Sequence, residues 1–249
     1  RYHDGYYDPV EKEFRGFARV EVVAVGDSDA PTLVTRSFFD TGREDEAMKG
    51  KLLRTVTEEE DGDIFVEEQT TWARPPRTLM TGRNGQAVRF AHPLGTAKTI
   101  RELGQGAARV LESEVQYDSY GNVTRAADYG VVDGCNRQAF DDERVTVTQY
   151  ALNLNAWMVR HPKRQEIQDE NGVVIARTES FYDDETFSGT NLGEVSRGNL
   201  TMTRAWINPS NAAAFINVSR VKYDSYGNPG WQLDPLAEAP SGVVNTNKG

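Results

Sequence analysis

Three runs of consecutive carboxylates, Glu58–Asp61, Asp141–Glu143 and Asp183–Glu185, have the side chains best suited by type to chemistry. Two carboxyl groups about 5–9.5 Å apart across a cleft hydrolyse glycosidic bonds, and clustered oxygens bind Ca²⁺. Consecutive acids at hairpin tips more commonly form a solvated edge that discourages strand-to-strand aggregation. No Asp-x-Asp-x-Asp-Gly loop is present to turn them into a calcium site. His3, His92 and His161 are too scattered for any metal-ligand spacing, and Cys135 has no Cys-x-x-Cys partner. No metal and no cofactor is therefore expected. A Cys–His nucleophilic pair would need the fold to bring Cys135 to a histidine. No Gly-x-Ser-x-Gly elbow occurs. Gly104-Gln-Gly-Ala-Ala-Arg109 shares two glycines with a dinucleotide loop but lacks the third and any parallel-sheet context. Asn-x-Ser/Thr sequons at Asn122, Asn199 and Asn217 matter only in a glycosylating host. No catalytic residue is assigned.

The elements that would carry these residues are strands. Lys51–Glu58 and Ile64–Trp72 flank an Asp61-Gly62 turn, which predicts a hairpin because glycine accepts the turn's backbone conformation. Arg164–Gln168 and Val173–Tyr182 flank Asp169–Gly172 and predict a second. Arg144–Tyr150 is rich in β-branched residues, and Gly16–Val25 is a further strand candidate. Helix signals are thin. Thr96–Ser113 is interrupted by Gly104 and Gly106, and Asn211–Phe215 has room for one short turn after Pro209. No proline-rich linker divides the chain, so residues 1–249 read as one elongated, mostly antiparallel β domain.

Six consecutive residues, Tyr-Asp-Ser-Tyr-Gly-Asn, occur at 117–122 and again at 223–228, each time after an alternating strand. The aspartate can accept the N–H two residues on, and glycine supplies the left-handed backbone. The tyrosine ends a strand and lays its ring on the neighbouring hairpin. The structural repeat residues are therefore Tyr117, Asp118, Gly121, Asn122, Tyr223, Asp224, Gly227 and Asn228. Ser37–Asp40 and Ser180–Asp183 are degenerate copies in which a longer insertion replaces the tight turn.

At these residues the chain resembles the Rhs/YD-repeat family and, within it, the B component of bacterial insecticidal Tc toxin complexes. The blocks Tyr2–Glu21, Ser37–Gly42 and Ala47–Arg54 carry the resemblance, which runs on through Tyr117–Asn122 to Tyr223–Pro235. It implies a ribbon of antiparallel β-hairpins forming part of a spiral, hollow shell around a cytotoxic C-terminal polypeptide. The implied partners are the remainder of the parent shell, its toxic cargo and a separate C component, in a secreted, extracellular complex. The family's β-propeller gate, later repeats and self-cleaving segment have no counterpart here, so the chain is expected to be a fragment, and autoproteolysis is assigned to no residue.

Composition narrows the alternatives. The 249 residues carry 28 basic and 38 acidic side chains, a net charge of −10 that repels phosphate backbones, so no nucleic-acid partner is expected. No apolar run approaches the roughly 18–20 residues of a membrane span. The leading reading is non-enzymatic: a wall segment whose acidic, moderately polar lining hinders cargo from collapsing on it. A secreted or cell-surface binding module, adhesin or carbohydrate-binding, is the alternative. A carboxylate hydrolase is the third, and requires a convergent acid pair with one raised pKa.

Overall fold

The computed structural model describes residues 1–102 and 106–233. Gly104 and Gln105 of the glycine-containing loop, and residues 234–235 of the resemblance, lie outside them. Two compact units divide the chain: residues 1–121 with 126–143, and residues 122–125 with the chain from Arg144 onward.

The first unit contains β1 (Tyr2–Asp8), β2 (Glu13–Ala24), β3 (Leu33–Asp40), β4 (Lys51–Glu59), β5 (Ile64–Trp72), β6 (Arg77–Thr81), β7 (Ala87–Phe90), β8 (Pro93–Ile100) and β9 (Arg109–Tyr117). Strand β10 (Val123–Val132) starts among residues 122–125 and continues in this unit. The order is β1-β2-β3-β4-β5-β8-β9, antiparallel at every pairing, and β6 and β7 form a separate hairpin. The second unit runs β11 (Arg144–Asn153), β12 (Met158–Gln168), β13 (Val174–Tyr182), β14 (Leu200–Trp206), β15 (Phe215–Tyr223) and β16 (Pro229–Leu233), each antiparallel to the one before. The chain is thus mainly antiparallel β, as its alternation requires. Thr96–Ser113, where helix formers are interrupted by glycine, supplies β8 and β9 instead. The predicted strand at Gly16–Val25 is β2, beginning three residues earlier.

Alternation gives each sheet two different faces. On one face of the first unit, Arg36 joins Glu21 (3.1 Å) and Glu58, Arg54 joins Glu67 (2.7 Å), and His3 meets Glu21 (3.2 Å). The Arg36 guanidinium, then His3, holds the Glu21 carboxyl below its usual range against the opposing effect of burial. The opposite face is uncharged where Thr35 and Thr57 hydroxyls meet at 3.2 Å. In the second unit, buried Glu179 lies between Arg164 (2.7 Å) and Arg204 (2.6 Å), while Arg177 binds Glu166 (2.7 Å). Arg204 also lies 4.8 Å over the Phe181 ring and 4.4 Å over Phe215. Guanidinium stems and planes thereby cover aromatic surface while their charge is neutralised across the strands. A small apolar cluster of Ala151, Tyr182 and Val195, with Met158 against it, lies at one end of this unit.

Candidate functional site

Both full repeats form the same backbone turn. Asp118 Oδ1 accepts the Tyr120 N–H (2.8 Å), and Asp224 Oδ1 accepts the Tyr226 N–H (2.8 Å). Gly121 and Gly227 donate to the carbonyls of Asp118 (3.4 Å) and Asp224 (3.1 Å), with φ of +86° and +85°. A side chain would be strained in that conformation whatever the space around it. At Gly121 the space is also taken, because a Cβ would stand 3.3 Å from Phe90 Cζ.

The two asparagines part ways. Asn228 stays within its turn, its N–H on Asp224 Oδ1 (2.9 Å) and its amide on Oδ2 (3.1 Å). These bonds, with those of Tyr226 and Gly227, hold the Asp224 carboxyl below its usual range. Asn122 is buried and reaches the Val159 carbonyl at 2.6 Å.

The tyrosines reach back to the preceding strand. Tyr223 donates its hydroxyl to Leu200 O (3.0 Å), Tyr182 to Pro162 O (3.0 Å) and Tyr150 to Val123 O (2.9 Å). Tyr117 instead meets Phe90 and His92 edge-on, with ring centroids 5.6 and 4.8 Å away. Burial raises the phenol pKa of Tyr117 and of Tyr182.

The degenerate copies keep the carboxylate and vary its partners. Asp40 Oδ1 accepts the Gly42 N–H (2.8 Å), and its Oδ2 binds Arg74 (2.6 Å). Asp183 accepts N–H groups from Ser196, Arg197, Gly198 and Asn199 across a long loop. Tyr7-Asp8 is a further copy that sequence reading passes over, because Pro9 follows and no glycine marks the turn. Asp8 takes the Val10 and Glu11 N–H groups (2.8 and 3.2 Å) and pairs with Arg15 (2.7 Å), bonds that lower its pKa. Asn153, after Leu152, does the same work at the end of β11, accepting the Ala156 N–H at 3.1 Å.

Strand order shows what these positions share. In an antiparallel meander, turns after alternate strands lie on the same sheet edge. In the first unit the aromatic–aspartate turns follow β1, β3 and β9; in the second they follow β13 and β15, with Asn153 after β11. Two turns on the opposite edges, at Asp27 and Asp169, also use aspartate but have Gly26 and Gln168 before it, whereas the β10–β11 connection carries a Phe140-Asp141 pair within a longer loop. Between β3 and β9 the edge position belongs to β5, where the chain leaves into the β6–β7 hairpin. Three arginines of that excursion bind the flanking turns: Arg74 to Asp40, Arg89 to Asp45 (2.6 Å) and Arg77 to the Asp118 carbonyl.

The other candidate residues remain apart. His3 faces Glu21, His92 stacks on Phe90 (4.7 Å), and His161 meets Tyr182 edge-on (5.0 Å). Among the described residues no group of three His, Cys, Asp or Glu side chains is placed to hold a metal. Cys135 is exposed. Glu58 belongs to the Arg36 ladder, Asp142 accepts the Val131 N–H (3.0 Å), and Glu143 is buried. An open groove of about 420 Å³ lies along β8 and β9, with Glu112, Glu114 and Arg137 on its wall. Arg137 binds both carboxylates (2.9 and 3.0 Å). Gln116 first, then Arg137 and Tyr129, hold the Glu114 carboxyl below its usual range, the opposite of what a general acid needs.

No protein-family model matches this sequence, and no curated protein matches it. No helix among the described residues is long and apolar enough to cross a membrane. Solved structures do match. The crystal structure of TcdB2-TccC3 aligns with a TM-score of 0.68 at 13% identity, over 94% of this chain and 18% of that one. The same complex without its hypervariable C-terminal region gives 0.66 at 14%, again over 94% and 18%. A Photorhabdus luminescens Tc holotoxin pore gives 0.66 at 13%, with the same coverages. The chain spans less than a fifth of these neighbours, and what it shares with them is the fold of a Tc toxin shell component.

Proposed function

We propose that this chain is a non-enzymatic wall segment of a toxin-encapsulating Rhs/YD-repeat shell, which houses a cytotoxic C-terminal polypeptide before delivery. The observation that carries this reading is the recurrence of aromatic–aspartate turns on alternate connections of an antiparallel meander. A unit of two strands and one such turn adds to its neighbour by pairing and buries its ring only once stacked. Likeness of fold to TcdB2-TccC3 supports it. On this reading the partners are the rest of the parent shell, its cargo and a separate C component, outside the producing cell. The test is protease protection. The intact parent protein is purified with its C component and treated with trypsin. Cargo that resists digestion until the shell is opened by denaturant supports containment; cargo digested at the rate of the free polypeptide overturns it.

One observation favours a binding module instead. Tyr2, Phe17 and Phe14 form a row on the β1–β2 hairpin with centroid spacings of 5.0 and 5.1 Å, and Tyr2 and Phe14 are more than half exposed. Such a row can stack on sugar rings. Glycan retention lost on Tyr2→Ala and Phe14→Ala would establish that reading.

A further inference from the structure

We propose that the loop of residues 184–199, between β13 and β14, is an acid-released strap held shut by the adjacent carboxylates of Asp183 and Asp184. The inference goes beyond the shell reading and stands without it.

The strap is tied at both ends by carboxylate oxygens. Asp183 Oδ2 accepts the N–H groups of Ser196 (2.8 Å), Arg197 (2.8 Å) and Gly198 (3.1 Å) and the Ser196 hydroxyl (3.2 Å). Its Oδ1 accepts the Asn199 N–H at 3.0 Å. Asp184 Oδ1 accepts the Thr186 N–H (3.3 Å) and hydroxyl (2.8 Å), and Oδ2 accepts the Gly189 N–H (2.9 Å) and the Ser188 hydroxyl (3.2 Å). Protonation turns one oxygen of each carboxylate into a donor and weakens it as an acceptor, leaving fewer acceptors for the converging N–H groups. Protonating Asp183 on Oδ2 sets an O–H against three N–H groups that have no other partner in these contacts.

Beneath the strap is apolar surface. Val195 is buried against Ala151 and Tyr182, and Phe187 meets Trp231 edge-on at 5.8 Å. Gly189 lies against Met202, itself 2% exposed. Releasing the strap uncovers these side chains. Other ties are neutral, among them Asn153 to the Val195 carbonyl (2.8 Å), Asn191 to the Tyr182 carbonyl (3.1 Å), the Asp183 N–H to the Asn199 carbonyl (2.9 Å) and the Asp184 N–H to the Thr201 hydroxyl (3.0 Å).

The charged groups around the sockets are few. From β12, Lys163 faces Gly193 and His161 faces Gly198; from β14, Arg204 faces Gly189 but is bound to Glu179. Within the strap, Arg197 and Glu185 stand 3.8 Å apart and exposed. The buried Nδ1 of His161 has no hydrogen-bond partner. Burial alone raises both carboxyl pKa values, and the converging donors outweigh it: Arg197, Ser196, Gly198 and Asn199 at Asp183, and Gly189, Thr186 and Ser188 at Asp184. A folded-state pKa below the unfolded one gives stability that is complete above the unfolded value and is lost as pH falls through the folded value. Release therefore belongs below the ordinary aspartate range, under about pH 4.

Amide hydrogen exchange in the intact protein tests this, with rates corrected for the intrinsic effect of pH. Protection of the Ser196–Asn199 amides should fall by up to about tenfold for each pH unit between the ordinary aspartate pKa and the lower folded value, and level off below the folded value, while β4 and β5 stay protected. Asp183→Asn, which places an amide N–H₂ or a lone oxygen against the same donors, should show the open strap already at neutral pH. Strap amides that lose protection only together with the strands overturn the proposal, as do strap amides indifferent to pH. If Asp183→Asn does not fold, the wild-type titration alone decides. Asp184→Asn should then reproduce the loss at residues 186–189.

Discussion

Gly121 and Gly227 share a φ near +86° but differ in what lies beyond the missing side chain: Phe90 at one, only Asn199 Oδ1 at 3.6 Å at the other. Left-handed backbone costs an ordinary residue roughly 1–2 kcal/mol, and more when it is β-branched. Gly227→Val should therefore destabilise the protein by about 2–3 kcal/mol and Gly121→Val, which also meets Phe90, by about 3–4, measured as a shift of the denaturation midpoint. Equal effects would remove Phe90 from the account. Glu179 is 1% exposed between two arginines. Removing it leaves two guanidinium groups without their shared counter-ion, so Glu179→Ala should cost about 3–5 kcal/mol in the same assay. At this scale the sequence was most legible where a residue type has one job. An aspartate two residues before a donor and a glycine three after it specify their turn unaided. Asn122 was not legible, because the same six-residue string sends one asparagine into its own turn and the other to a carbonyl 37 residues away. Nor was Tyr7-Asp8, whose turn is completed by Arg15 rather than by a glycine.

The elements were legible in proportion to how local their causes are. The β4–β5 and β12–β13 hairpins could be drawn from alternation and an Asp-Gly or Asn-Gly turn. The β6–β7 hairpin could not, since its place depends on Arg74, Arg77 and Arg89 meeting acceptors 34–44 residues away in sequence. That dependence gives a prediction for the element. Replacing Arg77 and Arg89 together with methionine should loosen the hairpin, uncover His92 and Tyr117, and lower the Tyr117 phenol pKa toward its ordinary value. Ultraviolet titration of tyrosine reads the last effect; an unchanged titration would mean that Phe90 alone seats the hairpin. The motif turns give a second prediction. The Asp8 and Asp224 carboxyls are held low by hydrogen bonds, so their turns keep full strength at neutral pH and weaken as pH falls below the ordinary aspartate range. Asparagine in place of Asp224 should flatten that dependence for amides 226–228 in hydrogen exchange.

For the molecule as a whole, a net charge of −10 coexists with cross-strand ladders that neutralise the guanidinium groups of Arg36, Arg54, Arg164, Arg177 and Arg204 locally. The excess acid resides mainly at turns and hairpin tips, such as Glu60 and Asp61. β1 and β16 stand at the ends of their units' strand orders, each with one unpaired edge among the described residues. Val22, Ile175 and Ile216 are more than 40% exposed along strands. Unpaired edges beside exposed β-branched residues promote association. The 249-residue chain expressed alone should accordingly self-associate at micromolar concentration, seen as a concentration-dependent sedimentation coefficient, and an ideal monomer across that range would contradict it.

The excursion between β5 and β8 bears on how such a chain changes length over evolution. Strand β8 takes the neighbour position beside β5 directly, so the twenty residues 73–92 leave and return without altering which way later strands run. Losing or gaining a single sheet strand would reverse every strand after it. Each downstream tyrosine–aspartate pair would then fall on the wrong side, away from the carbonyls its neighbours offer. Lengthening is thus tolerated in whole hairpins or in detours outside the sheet, and natural relatives should differ in strand number by even steps.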